Sequence, residues 1–165
     1  MREQIPFIPE NQTDISRLFR NIGERFVRLG FAGPRKGVND EQFLSLERML
    51  TLVPGILEGH HGDGVGGDVD FHQLCRQLEI PIHIHPPKKS SNRAFCKGAI
   101  ATAKKRDGSR RNRDIVESTD LLLAIPPKDK EVVSSGIWAS VRHARKLGRC
   151  VLIVRTNGEI VAELG

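Results

Sequence analysis

The sequence predicts an α/β protein: a Rossmann-like, three-layer α/β/α domain with a mostly parallel sheet of about five to six strands. Three observations carry that expectation. Short apolar runs alternate with segments of helical periodicity along the 165-residue chain. Two of the runs, Leu121-Leu122-Leu123-Ala124-Ile125 and Cys150-Val151-Leu152-Ile153-Val154, are continuously apolar, as in strands covered on both faces. A glycine-rich stretch, Gly59 to Asp68, joins a strand-like run to an amphipathic helix.

The elements follow in order. Ile15, Leu18, Phe19, Ile22 and Phe26 at helical spacing predict an N-terminal helix over about 13–25, before a first strand from Phe26 to Phe31 that ends at Gly33-Pro34-Arg35. Asn39 with Gln42 has the capping-box spacing for a helix whose apolar face is Leu46, Met49, Leu50 and Val53. The second strand is placed at about 55–58. After the glycine loop, Phe71, Leu74, Cys75 and Leu78 form a buried helix face, with Asp68, His72 and Arg76 turned elsewhere. Ile80 to His85 reads as the third strand, stopped by Pro86-Pro87. Residues 86–109 lack periodicity and are expected as a mobile basic loop with a helical turn near 99–104. A helix around 110–118, a strand over 120–125, a helix opened by Ser135-Gly136, a strand over 150–154 and a turn at Asn157-Gly158 into a small last strand complete one domain spanning 1–165.

The formal net charge of +6 favours anionic partners, and its distribution is uneven. Residues 88–113 hold ten Lys and Arg against Asp107 alone. Nucleic-acid binding through this segment is one reading, weakened because Phe95 is its only aromatic residue for stacking. Three cysteines without a CxxC pair suit a reduced compartment. With no signal pattern and no apolar run of the roughly 20 residues that span a bilayer, the expectation is a cytoplasmic protein without membrane partners.

In an open parallel sheet, ligands bind outside the carboxyl ends of the strands, where the strand order reverses. The unusual residues cluster there: Gly33-Pro34-Arg35 after strand one, the glycine loop after strand two, and Pro126 through Gly136 after the fourth strand. Helix N-termini suit phosphate, and Arg35, Arg111 and Arg113 supply countercharge. Gly62-Asp63-Gly64-Val65-Gly66-Gly67 matches the dinucleotide fingerprint poorly in position and spacing. His60, His61, Asp63, His83 and His85 are metal-ligand types, but no HExxH or cysteine-rich pattern accompanies them, so neither a metal site nor a cofactor is assigned.

Gly33-Pro34-Arg35, the stretch from Gly59 to Asp68 with Phe71-His72, Arg111-Asn112-Arg113-Asp114-Ile115-Val116, and Ala124-Ile125-Pro126 with Ser135-Gly136-Ile137-Trp138 together resemble the SLOG superfamily. This Rossmann-like group includes LOG phosphoribohydrolases, DprA-type proteins and proposed molybdenum-cofactor carriers. The resemblance implies a bound nucleotide or nucleotide-derived phosphorylated metabolite, held by Gly33, Arg35, Gly59, His61, Gly62, Asp63, Gly66, Asp68, Arg111, Arg113, Pro126, Ser135 and Gly136, in a homodimer. It also raises N-glycosidic hydrolysis as an alternative. The phosphoribohydrolase corner PGGxGTxxE is altered here, with Ile137 at the threonine and Ala139-Ser140 where acidic residues would lie. Catalysis would then rest on Arg113, with Asp63 or Asp68 in place of the missing glutamate.

Overall fold

The computed structural model describes residues 27–53 and 55–165, so the helix expected over 13–25 lies outside the described residues. Seven strands form one sheet: β1 (Val27–Ala32), β2 (Ile56–His61), β3 (Ile82–Ile84), β4 (Ala101–Thr102), β5 (Leu121–Ala124), β6 (Cys150–Val154) and β7 (Ile160–Glu163). Their spatial order is β4-β3-β2-β1-β5-β6-β7, parallel throughout except for the antiparallel β6–β7 pair. The order reverses between β1 and β5, which makes the loops after these two strands the walls of the ligand crevice.

Among the described residues, four helices cover the sheet: α1 (Asp40–Leu52), α2 (Gly67–Gln77), α3 (Gly108–Glu117) and α4 (Gly136–Lys146). Strand alternation decides which face each helix receives. Leu29, Phe31, Leu121, Leu123, Leu152 and Val154 point to one side and pack with Leu46, Met49 and Leu50 of α1 and Phe71 and Leu74 of α2. Leu122, Ala124, Val151 and Ile153 point to the other and meet Val116 of α3 and Trp138, Val141 and Ala144 of α4. Trp138 is therefore a packing residue. Gly30 lets α3 approach β1, since a Cβ there would stand 2.7 Å from Thr119 Oγ1.

Three boundaries differ from the sequence reading. β2 continues through Gly59, His60 and His61, because their backbone pairs with β1 and β3 on both sides, and that pairing outweighs the poor strand propensity of glycine. The basic segment is not a free loop. It forms a 3-10 turn at Ser90–Asn92 and then the edge strand β4, where Ile100 N–H donates to Ile82 O and Ala103 N–H to Ile84 O, both at 2.8 Å. This extra strand raises the count above six. Finally, His72 is buried although it lies off the expected apolar face, whereas Leu78 caps α2 and is exposed.

The capping box of α1 forms as the spacing predicts. Gln42 N–H donates to Asn39 Oδ1 at 2.8 Å and Asn39 N–H to Gln42 Oε1 at 3.2 Å. Gln42 Nε2 also donates to Pro126 O at 2.9 Å, tying the start of α1 to the loop after β5. Asn39→Ala is expected to cost about 1 kcal/mol of unfolding free energy. Gln42→Ala should cost roughly 1–3 kcal/mol, because it leaves the buried Pro126 carbonyl short of a donor. Urea denaturation checks both, and equal costs would mean that the bond to Pro126 contributes nothing.

Candidate functional site

A cleft of about 1260 Å³ opens where the strand order reverses. Its walls are the loop after β1 (Ala32 to Gly37), the turn from β2 into α2 (Gly62, Gly64, Val65, Asp68), the start of α3 and the start of α4. Nine of its lining residues are Lys or Arg and two are Asp, so the interior field attracts anions. Ser135 caps α4, accepting from Trp138 N–H at 3.4 Å. The first internal bond of α4 runs from Ala139 N–H to Ser135 O, so the amides of Gly136 and Ile137 precede the ladder at the cleft wall.

Three backbone amides of the β2–α2 turn have partners within the protein. Gly67 N–H donates to Pro34 O at 2.8 Å, Gly64 N–H to Asp68 Oδ2 at 2.9 Å and Asp63 N–H to His61 Nδ1 at 3.0 Å, so these amides are spent within the protein. Absence of side chains lets two loops touch backbone to backbone. A Cβ on Gly66, which has φ +83°, would lie 2.2 Å from Arg35 O, and one on Gly67 would lie 3.0 Å from Pro34 Cδ. Gly62 serves Arg111 instead. The guanidinium packs where its Cβ would be, and Nη1 donates to Gly62 O at 2.8 Å.

Asp68 and Arg111 set the electrostatics of the inner wall. Burial raises the Asp68 carboxyl to about 6, opposed by the Gly64 amide and the charge of Arg111. Desolvation lowers Arg111 from its ordinary value, with Asp68 acting against that and Arg35 adding to it. The buried Arg111 Nε has no hydrogen-bond partner among the described residues. It is a donor held at the cleft wall without an acceptor.

Behind this wall lies a second polar cluster. His61 Nδ1 accepts from Asp63 N–H, His61 Nε2 lies 2.9 Å from His72 Nδ1, and His72 Nε2 lies 2.8 Å from Lys97 O. One proton assignment satisfies all three contacts: both imidazoles are neutral and protonated on Nε2. Burial, then the neighbouring His72, lowers His61 to about 3, which agrees with a neutral ring. The Asp63 carboxylate is fully buried, pairs with Arg93 Nε and accepts from Cys96 N–H at 2.8 Å. Burial, then Asp63, pushes the Cys96 thiol up to about 12.

The structure thus brings Gly33, Arg35, Gly62, Asp68, Arg111, Arg113, Ser135 and Gly136 to the cleft. It sets the others behind the lining. Gly59 is buried against Phe71, His61 and Asp63 within the second cluster and Pro126 under Gln42, while the half-buried Gly66 lies against the β1 loop. Several lining groups were not among the ligand residues expected from the sequence: Lys36, Asn112, Arg142 and Lys146. The last two stand on the exposed side of α4, and only the packing of α3 against α4 shows that this side borders the cleft.

No protein-family model matches the chain, and no curated protein does. Three solved structures share its fold. The molybdenum cofactor binding protein of Rippkaea orientalis is 18% identical with a TM-score of 0.61, over 82% of this chain and 87% of that one. TM1055, a structural-genomics target, is 18% identical at a TM-score of 0.58, over 79% and 75%. DNA processing protein A of Streptococcus pneumoniae is 16% identical at a TM-score of 0.60, over 78% of this chain and half of that longer one. All three have SLOG-type folds, so the fold implied by the sequence resemblance is the one this chain adopts. At such identities the likeness establishes architecture alone.

The raised Asp68 gives a pH dependence with a definite sign. A carboxyl raised from 3.8 to about 6 stabilises the fold fully below its ordinary value, and that contribution is lost as pH rises through about 6. The stability of the native protein relative to Asp68→Asn should therefore fall by up to about 3 kcal/mol between pH 4 and pH 7. Parallel denaturation curves of the two proteins measure it. A difference that does not change with pH would place Asp68 in water.

Proposed function

We propose that the chain binds a nucleotide or nucleotide-derived phosphorylated metabolite in the cleft between β1 and β5, as a sensor, carrier or modifier component. The supporting observation is the joining of nine cationic lining residues with the N-terminus of α4 at the point where strand order reverses. Phosphate would take the amides of Gly136 and Ile137 together with the guanidinium groups of Arg35 and Arg113, which reach the same space from opposite walls. Val65, Ile137 and the strongly exposed Val133 offer apolar surface for a base. One similar structure is named for a small-molecule cofactor and another for DNA processing, so this architecture accommodates both kinds of ligand.

One observation favours a second, catalytic reading. Asp68 lines the cleft with its carboxyl raised to about 6, a value suited to a general acid near neutrality. Asp68 would protonate the leaving base of a nucleoside monophosphate as its C1′–N bond breaks and water adds to C1′, while Arg113 holds the phosphate: N-glycosidic hydrolysis without the family's glutamate. Asp63 takes no part in this version, because its carboxylate serves Arg93 and the Cys96 amide.

Thermal denaturation against nucleoside monophosphates and sugar nucleotides tests the binding reading. A true ligand at a hundred times its Kd should add about 2.7 kcal/mol of stability. Arg113→Ala should weaken binding by roughly ten- to a hundredfold, as expected for a lost charge-assisted hydrogen bond. Base released in the same samples, and lost in Asp68→Asn, would establish the catalytic reading. Stabilisation by single-stranded oligonucleotides alone, vanishing with salt, would move the function to nucleic acid. A chain that responds to no nucleotide has another ligand class.

A further inference from the structure

The outer edge of the sheet carries a histidine cluster that the cleft does not use. Alternation along β2 sends Gly59 and His61 toward α2 and sends Glu58 and His60 to the opposite face. On β3, Ile82 and Ile84 enter the core on the α2 side, so His83 emerges beside His60, its direct partner in the parallel register. The two imidazoles stack with centroids 4.6 Å apart and planes 8° from parallel. Glu58 reaches both: Oε1 lies 2.9 Å from His60 Nε2, and Oε2 lies 2.9 Å from His83 Nε2. All three donor atoms fall within 4.8 Å of one another.

Two features separate this trio from an ordinary hydrogen-bonded cluster. His83 Nε2 is buried and close to the carboxylate, yet it makes no hydrogen bond among the described residues, so the approach lacks hydrogen-bond direction. His60 has an acceptor behind it, with Nδ1 2.9 Å from Nε2 of the buried His85. His60 Nε2 hydrogen-bonds Glu58 Oε1; a cation would displace that proton, and with the ring's remaining proton on Nδ1, donated to His85, the Nε2 lone pair is left for the ion. That is the arrangement by which outer partners orient a metal-bound imidazole. The cluster of His61, His72 and Cys96 has the opposite preparation. There Asp63 N–H occupies His61 Nδ1, so Nε2 keeps its proton and has no lone pair for a cation.

We propose that Glu58, His60 and His83 bind a divalent transition-metal cation of the zinc class through one carboxylate oxygen and two Nε2 atoms, with His85 as a positioning residue. A tetrahedral ion at about 2.0–2.1 Å from each ligand holds its donors roughly 3.4 Å apart, so the 2.9 Å contact of the ligating Glu58 oxygen with its imidazole opens by about half an ångström and the two Nε2 atoms, already within 4.8 Å of each other, converge on the same ion. Glu58 and His83, with side chains 19% and 27% exposed, have room for that motion and leave the ion's remaining position to water. Two imidazoles with one carboxylate favour zinc, cobalt or nickel over magnesium or calcium. Metal-free hydrogen bonding within the trio is the competing outcome.

Calorimetric titration of the EDTA-treated full chain with zinc chloride tests this. One saturable equivalent of micromolar affinity or tighter is expected, at least tenfold weaker in His83→Ala and Glu58→Gln, and roughly ten- to a hundredfold weaker in His85→Gln. Cys96→Ser should bind like the native protein. Cobalt gives a readout that needs no variant: visible d–d bands without the near-ultraviolet thiolate-to-cobalt band that Cys96 ligation would add. Absence of saturable binding, a thiolate band, or full affinity in both His83→Ala and Glu58→Gln would each overturn the assignment. Thermal melts verify folding, and the cobalt spectrum of the native chain decides if a variant does not fold.

Discussion

The contact between the β1 loop and the N-terminus of α2 governs the rest of the site. Gly66 and Gly67 bring these segments to backbone distance, and the bond from Gly67 N–H to Pro34 O locks them. Any side chain there would drive the two loops apart. Because the loops touch, Asp68 and Gly62 face across the crevice toward α3, and Arg111 can lie over the end of β2. The glycine-rich turn thus shapes the cleft mainly by what it lets approach, and the cationic lining groups come from its neighbours.

β2 and β3 carry three histidines, with His85 just beyond β3, and their ring nitrogens are disposed of differently on the two faces of the sheet. On the α2 face, His61 joins a directed chain from the Asp63 amide through His72 to the Lys97 carbonyl, with every donor and acceptor matched. On the other face, His60 and His83 share Glu58 while His85 backs His60, and among the described residues the accounting does not close at His83 Nε2. Histidines two residues apart share a face, while neighbours such as His60 and His61 are divided by the sheet itself. That division turns one run of similar residues into two sites of different chemistry.

Much of the architecture was legible from the sequence. The apolar runs at 121–125 and 150–154 lie on strands covered from both sides, and Asn39 and Gln42 form the reciprocal cap that their spacing implies. The misplacements have one physical origin, which is long-range pairing. Gly59, His60 and His61 have weak strand propensity but belong to β2 because β1 and β3 flank them, and Ala101–Thr102 becomes a strand only beside β3. The site was less legible for a related reason. Gly33, Arg35, Asp68, Arg113 and Ser135 line the cleft, while Asp63, equally polar and only five residues from Asp68, turns inward to Arg93. Residue type marks what can touch a ligand. Which side of a turn it occupies is decided by partners some thirty residues away.

Asp63 has a broader consequence for the basic segment. It holds Arg93, the Cys96 amide and, through its own carbonyl, Ala94 N–H at 2.7 Å, while Pro87 bridges Arg106 and β4 is paired to β3. The segment is therefore stapled at its start, middle and end, and Lys88, Lys89 and Arg106 stand at the cleft mouth on an anchored backbone. A disordered cationic arm loses conformational entropy whenever it closes on an anion. Here that ordering cost is met once, during folding, so the charge array at the cleft is already in place. The same stapling fixes the spacing of these cations, so the cleft presents its charge in a pattern of set geometry.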